Sequence, residues 1–529
     1  MEESTTITRR IAMRTKQMVL VVASICMVYP ISVSQGIATR TEFKKAATDS
    51  DKKQRDYLQT VQSYADTLLK HGRDTYGKVN SPLIATTLDR KTLKMFDEAQ
   101  LVRLWEMRLK DWKNWRVRNR DRMTTGANPM HDQNLYQILY ALTKITGDKR
   151  YANEADKTIR WFFEHCQSPT TGLMAWGEHM GWDFKNETLI TWRKGSHHGG
   201  RMQEYNTHEF ARPWVLWERS FELAPKACER FARGLWEHQI ADHNTGNFSR
   251  HANYEIHQTF KDSEYPRHGG FYIATWAEAY KRTKDPVFAK AIETLVAYFD
   301  MRRSPQSGAI PAESAPRSKG KTLWSTSNLS LAIDLWDGAS KVPEQLARKM
   351  RQSAYKTDQV FLKLGHDLKK NGKGFLLNAH TDTLQPQEQG AYSGPWGDAG
   401  SANLCLLRYR QVKLKPYRKL ALDTAARYVD SEPNIEFALH PGTLGHVIYL
   451  MLGAHELTGQ KQYLDRADHF ANKAIKLFLD DTSPLPKATS KHDHYEAVTG
   501  ADTLMMALLQ LWATKNRPDM KLHLIYCDR

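Results

Sequence analysis

The sequence predicts an all-α fold made of antiparallel helical hairpins, and three observations predict it. From Leu101 onward long amphipathic stretches dominate, separated by short Gly, Pro and Asn breaks. Strand-like alternation of apolar and polar residues is rare and brief. One local pattern also recurs, at Thr146-Gly147 with Tyr151, at Thr283 with Phe288, and at Thr458-Gly459 with Tyr463. In each copy an aromatic ring follows the threonine by five residues, with an apolar helix leading in and another leading out. Gly147 and Gly459 can end a helix in the left-handed conformation that other residues resist. The aromatic then opens the next helix and packs back on the previous one, which makes a hairpin. Such hairpins stack as an open solenoid or close as a toroid, and the spacing of the copies does not choose between them.

The elements follow in order. Arg9, Arg10, Arg14 and Lys16 precede an apolar run from Met18 to Ile31, with small residues at Ser32, Ser34, Gly36 and Ala38. A charged segment, an apolar run and a small-residue cleavage zone make residues 1–38 a secretion signal, or an N-terminal anchor if uncleaved. The run falls short of the roughly 20 residues needed to span a bilayer. The expected location is therefore the periplasm or the exterior, with no stable membrane insertion once the signal is cut. Residues 39–529 are expected to form a single domain, beginning with a polar, helix-patterned stretch at 39–75. The segments 304–320 and 385–400 are rich in Gly, Pro and Ser, and in a helical array they read as loops on one face. Cys26 lies in the signal; Cys166, Cys228, Cys405 and Cys527 are far apart, with no C-x-x-C pair for zinc or redox chemistry.

Charge narrows the partners. The chain carries 76 Lys and Arg against 59 Asp and Glu, a formal +17. Basic charge favours nucleic acid, anionic lipid or acidic polysaccharide. Fifteen Trp, 22 Tyr and 18 Phe beside those cations suit uronic-acid rings as well as bases. Export and the lack of any recognition motif disfavour nucleic acid.

Chemistry concentrates in residues 174–270. Trp176-Gly177-Glu178-His179, Trp182, His208-Glu209, Arg212, Trp214, Trp217, Arg250-His251 and Tyr254 all fall there. Histidine with carboxylate suits a borderline divalent metal. His208-Glu209 opens like a zincin helix, but Arg212 stands where the second histidine belongs, so that reading fails. His238 and Asp242, one helical turn apart, offer another metal pair or simply a solvated face. His197-His198 reads as a loop, and His492-Asp493-His494 forms a third cluster. By residue type alone no triad wins.

The block from His208-Glu209 through Trp217 and Trp236 to Arg250-His251 resembles the periplasmic pectate lyases of polysaccharide lyase family 2. Trp176-Gly177-Glu178-His179 is similar to that family's metal-binding histidine motif, His208-Glu209 to its metal-binding glutamate, and Arg250-His251 to its adjacent base and ligand. The C-terminal stretch from Asp493-His494-Tyr495-Glu496 to Ala501-Asp502-Thr503 resembles its closing helix. The likeness runs over roughly residues 100–515 and is best at 174–254. The chain departs from the pattern in a basic stretch at Thr191–Arg201. The resemblance implies closure into an α/α toroid and cleavage of a polyuronate, polygalacturonate or pectate first, to unsaturated oligouronides. It implies a metal held by His179, Glu209 and His251, with manganese first and nickel, cobalt or zinc as alternatives. It implies Arg250 as the catalytic residue, although an arginine is effectively always protonated and suits carboxylate binding equally well.

Lyases of this kind work by β-elimination. The C5 proton is weakly acidic because the adjacent carboxylate is already negative. A divalent cation neutralises that carboxylate, basic side chains add to it, and a base then takes the proton. Trp176, Trp182, Arg212, Trp214 and Tyr254 are the candidates for holding the sugar chain. Two alternatives stay open. One is a glycoside hydrolase of unsaturated uronides, using Asp183 with Glu209 or Asp262 with Glu264 and no metal. The other is a non-catalytic helical-repeat scaffold that binds sugar; an epimerase on a similar array is a weaker third.

Overall fold

The computed structural model describes residues 49–110, 125–178, 180–191, 207–315, 320–387, 390–394 and 396–526. The chain divides into two units, Met1–Asp51 and Lys52–Arg529, and the second holds the helical body. The expected secretion signal lies outside the described residues. Among them no helix is long and apolar enough to cross a membrane.

After α1 (Asp49–His71) and α2 (Glu98–Lys110), helices come in pairs. They are α3 (Gln133–Thr146) and α4 (Lys149–His165), α5 (Trp217–Leu223) and α6 (Pro225–Gly234), and α7 (Pro266–Thr283) and α8 (Pro286–Met301). Next come α9 (Ser325–Ala339) and α10 (Glu344–Lys363), then α11 (Asp398–Val412) and α12 (Lys415–Val429). The last are α13 (Pro441–Thr458) and α14 (Lys461–Phe478), with α15 (Ala501–Asn516) closing the series. Successive odd-numbered helices pack side by side from α5 through α7, α9, α11 and α13 to α15, and α15 returns to α3. Asn134 at the start of α3 donates to Thr503 Oγ1 of α15 at 3.0 Å. Between α3 and α5 the ring is completed by the loop before α5: Val215 N–H donates to Gln133 Oε1 at 2.9 Å, and the Tyr136 and Trp214 rings touch. The even-numbered helices back this ring, each against its hairpin partner. The protein is thus an α/α toroid, the closed alternative.

Burial follows the two layers. In α13 and α15 buried residues occur on every side of the helix. In α14 they keep to one stripe: Tyr463, Ala467, Phe470, Ala471, Ala474 and Phe478. Inner helices approach closely. A Cβ on Gly445 of α13 would stand 2.9 Å from the backbone of Thr503 and Leu504 in α15.

The recurrent Thr-to-aromatic pattern is the turn from inner to outer helix. Thr146, Thr283 and Thr458 each donate Oγ1–H to the carbonyl four residues back. Each also accepts the N–H two residues on, at 3.1 to 3.2 Å. The residue after each threonine is left-handed: Gly147, Lys284 and Gly459. Tyr151, Phe288 and Tyr463 are buried. These turns are short, whereas the connections returning to the inner helices are long and carry all the strands, including the paired β1 (Thr87–Leu88) and β8 (Tyr495–Glu496). The segment 304–320 belongs to such a return, before α9, and 385–400 runs from another into the first turn of α11. Cys166, Cys228 and Cys405 are buried free thiols, and Cys527 lies outside the described residues.

Phe288→Ala is expected to lower stability by about 3–5 kcal/mol, the usual cost of emptying a core aromatic site. Thr283→Val, which loses one hydroxyl with two hydrogen bonds, should cost about 1–2 kcal/mol. Denaturant melts measure both, and equal losses would contradict this account of the turn.

Candidate active site

The site is assembled on the long-connection end. Thr207–His208 (β4) pairs antiparallel with Ala252–Asn253 (β5), Thr207 opposite Asn253 and His208 opposite Ala252. One step beyond that register, Glu209 comes opposite His251. Glu209 has no exposed surface. Its Oε2 lies 3.2 Å from His251 Nε2. Its Oε1 accepts from the Arg250 guanidinium at 2.7 Å and lies 3.0 Å from His268 Nε2. Glu178 stands 3.6 Å from the same guanidinium, and Tyr265 stacks under it, 5.0 Å from the ring centre. The Tyr265 ring in turn stacks on Trp324 at 4.5 Å.

Backbone and neighbours hold this arrangement in place. His208 turns the other way, its Nδ1 3.0 Å from Gln239 Oε1 in the π-helical turn Leu235–Gln239. Gln239 donates to the Ser249 carbonyl at 2.6 Å, tying the two strands from below. Burial lowers the pKa of His208 to about 4, so its ring is neutral. Gly177 has φ +132°, and a Cβ there would stand 2.3 Å from the Glu209 carbonyl oxygen. Only glycine allows the Trp176–Glu178 segment to cross Glu209 so closely.

Electrostatics match the contacts. Burial alone would lower the pKa of Arg250, but Glu209, Tyr265 and Glu178 outweigh it and raise it above its ordinary value. Arg267, in the first turn of α7, has its pKa lowered by burial, with Glu209 pulling the other way and Arg250 adding to the lowering. Its Nε is buried without a hydrogen-bond partner among the described residues. Burial also holds His268 neutral, at about 3, so its Nε2–H donates to Glu209.

Of the residues expected from the sequence, Glu209, Arg250 and His251 come together. His179 lies outside the described residues, as does most of the basic stretch 191–201. Trp176 and Trp214 require a correction. Trp176 is fully buried, stacked on Phe210 at 5.3 Å, and Trp214 is buried beside it with its indole N–H on Ser220. Tyr254 is also buried and donates to the Cys166 carbonyl. Rings with essentially no exposed face pack the core rather than stack on a sugar. Trp182 is half-buried on β2 (Met180–Asp183), edge-on to Trp161, and Arg212 is half-buried beyond Glu209.

The alternative groupings have structural duties. Asp183 accepts from Lys185 N–H and the Asn186 side chain. Glu264 is buried against Arg302 at 2.7 Å and Tyr298 at 3.1 Å, and Asp262 accepts from Asn247. Asp242 accepts two N–H groups of its own turn. His492 bonds Thr489, while His494 and Arg108 meet Glu496. Two residues of the site were missed, Arg267 and His268. Pro266 in Tyr265-Pro266-Arg267-His268 marks a helix start, but nothing in the sequence says that this turn meets Glu209.

Among the described residues no group of three or more His, Cys, Asp or Glu side chains is arranged to hold a metal. The Glu209–His251 pair still passes a simple test. Two donors each about 2.1 Å from one ion are about 3.0–3.4 Å apart, and these two are 3.2 Å apart.

Residues 106–301 match the family model described as periplasmic pectate lyase. That span contains Glu178, Glu209, Arg250, His251, Arg267 and His268. Among solved structures the chain is similar to an unsaturated glucuronyl hydrolase specific for heparin, at 12% identity over 88% of this chain and 99% of that one, with a TM-score of 0.46. It is also similar to a D-mannose isomerase, at 10% identity over 89% and 100% with a TM-score of 0.47. A third is cellobiose 2-epimerase from Bacillus thermoamylovorans, at 8% over 87% and 99% with a TM-score of 0.46.

Gly177→Ala is expected to destabilise the fold by about 2–3 kcal/mol, through both the φ penalty and the clash with Glu209. A thermal melt within about 1 °C of the native chain would show that the crossing is looser than described.

Proposed function

We propose that this protein is an exported polysaccharide lyase that cleaves a polyuronate, polygalacturonate or pectate first, by β-elimination. The observation that carries the reading is the convergence of Glu209, Arg250 and His251 inside the span that matches the periplasmic pectate lyase model. Glu209 and His251 would hold a divalent transition metal, with His179 as the third ligand the family motif implies. Manganese is the first choice, and nickel, cobalt and zinc suit the same donors. Bound there, the ion would supply Lewis-acid neutralisation of the uronate carboxylate.

The chain's own residues divide the remaining work. His268 donates to Glu209 and fixes which carboxylate oxygen is left for a ligand. Arg267, half-buried in the first turn of α7 and electrostatically coupled to Glu209 and Arg250, is a second cation for a uronate carboxylate. Arg250, partly exposed and backed by Tyr265, contacts the reacting sugar. Glu209 and Glu178 both lie against its guanidinium, and a planar guanidinium fork suits the binding of a further carboxylate.

Ultraviolet absorbance of the unsaturated product tests the reaction on polygalacturonate, alginate and glucuronan. Activity is expected on a free polyuronate, less on its methyl ester, and none after chelation. Chelator-resistant release of sugars without unsaturated product would overturn the lyase reading in favour of a hydrolase. His251→Ala should lose the metal of this site and activity together, whereas Arg250→Ala keeps that metal and loses activity.

Arginine variants separate the two cationic roles. Arg267→Ala is expected to lower kcat/KM by about 10- to 100-fold, the loss of one charge-assisted hydrogen bond. Arg250→Lys keeps the charge. A fall within about tenfold marks carboxylate binding, and a hundred- to ten-thousand-fold fall marks a general base.

A further inference from the structure

The π-helical turn that ends α6 puts adjacent residues to different uses. Gln239, buried, ties His208 to Ser249. One residue earlier, His238 sits at the surface with its Nδ1 2.9 Å from Nδ1 of the exposed His257. The two ring planes are 67° apart, with centroids 5.0 Å apart. Asp242, which the sequence offered as partner for His238, is engaged by Asn244 and Thr245 instead. Such turns inside helices are rare and recur at functional sites.

Two imidazole nitrogens of the same kind that meet at this distance have two ways to be satisfied. One ring donates to the other, or both lone pairs point to a shared cation. Two nitrogens about 2.05 Å from one ion at a right angle are about 2.9 Å apart. Glu237, exposed and next in sequence to His238, adds a negative charge. We propose that His238 and His257 form a second transition-metal site that takes Cu²⁺, Ni²⁺ or Zn²⁺ through their Nδ1 atoms, independent of the Glu209–His251 pair. Imidazole suits these ions over calcium or magnesium, and solvent fills the remaining positions.

The site has a structural consequence. His257 lies on the loop leaving β5, six residues after His251. An ion held between His238 and His257 ties that loop to the π-helical turn, which already anchors His208 and Ser249. The backbone bearing Arg250 and His251 is then clamped from both sides.

The test is titration of the full-length chain with Ni²⁺ and with Cu²⁺, by calorimetry and electron paramagnetic resonance. His251→Ala, which removes the first pair, is expected to retain one equivalent of Ni²⁺, with nitrogen coupling in the Cu²⁺ spectrum. Adding His257→Ala should weaken that binding at least tenfold and abolish the metal-induced rise in melting temperature. In the otherwise native chain, His257→Ala alone should lose one equivalent. Binding should weaken on acidification, because only neutral imidazole ligates a metal ion. Ni²⁺ affinity and stoichiometry unchanged by His257→Ala, or a Cu²⁺ spectrum without nitrogen coupling, would overturn the second site and leave the lyase reading untouched.

Discussion

A carboxylate with no exposed surface is costly to keep unless every oxygen is matched, and Glu209 is the case on which this structure turns. Its two oxygens meet Arg250, His251 and His268, which arrive from two distant parts of the chain. Satisfying it fixes the register of β4 on β5, the entry of α7 and the close crossing at Gly177. The supporting contacts behind it serve the same end. His208 faces away from Glu209, and through Gln239 it secures the strand that presents its neighbour.

The toroid explains why such a site can be built at one end. Inner helices must approach closely, so their outward turns are short and stereotyped, closed by a threonine hydroxyl and an aromatic residue. The returning connections carry no such restriction, and in this chain they are long. Polar clusters gather there: Glu209 with its partners, Glu264 with Arg302, and Glu496 with Arg108. The Glu496 cluster also joins histidine, arginine and carboxylate but is buried, whereas Arg250 and His251 of the Glu209 cluster stay partly exposed.

Charge at the site has two layers. Arg250 and Arg267 lie near each other, with Glu209 and Glu178 as the neighbouring acids. Arg250 keeps part of its guanidinium exposed, whereas Arg267 lies deeper, so the positive charge of the site is graded from surface to interior. The ring beneath Arg250 is Tyr265, itself buried and stacked on the partly exposed Trp324, while Trp176 and Trp214 pack the core.

Helices and hairpin turns were legible in local pattern, whereas the Glu209, Arg250 and His251 grouping came from a family resemblance carried by the pairs His208-Glu209 and Arg250-His251, residue types alone choosing no triad. A threonine that caps its own helix and an aromatic that opens the next need only a few residues to be recognised. Which face of each aromatic is buried was not legible, since Trp176 and Trp214 look the same in the chain whether they line a cleft or fill a core. Nor was the role of Arg267 and His268, whose partner Glu209 is about sixty residues away in the chain. Closure of the ring was not legible in the spacing of the hairpins and came only from the family resemblance, because it depends on α15 meeting α3, at opposite ends of the helical body. The sequence by itself determined the local elements and the residue types available for chemistry. Tertiary structure decided which of them share a point in space, because long-range packing selects among contacts that local spacing leaves equally possible.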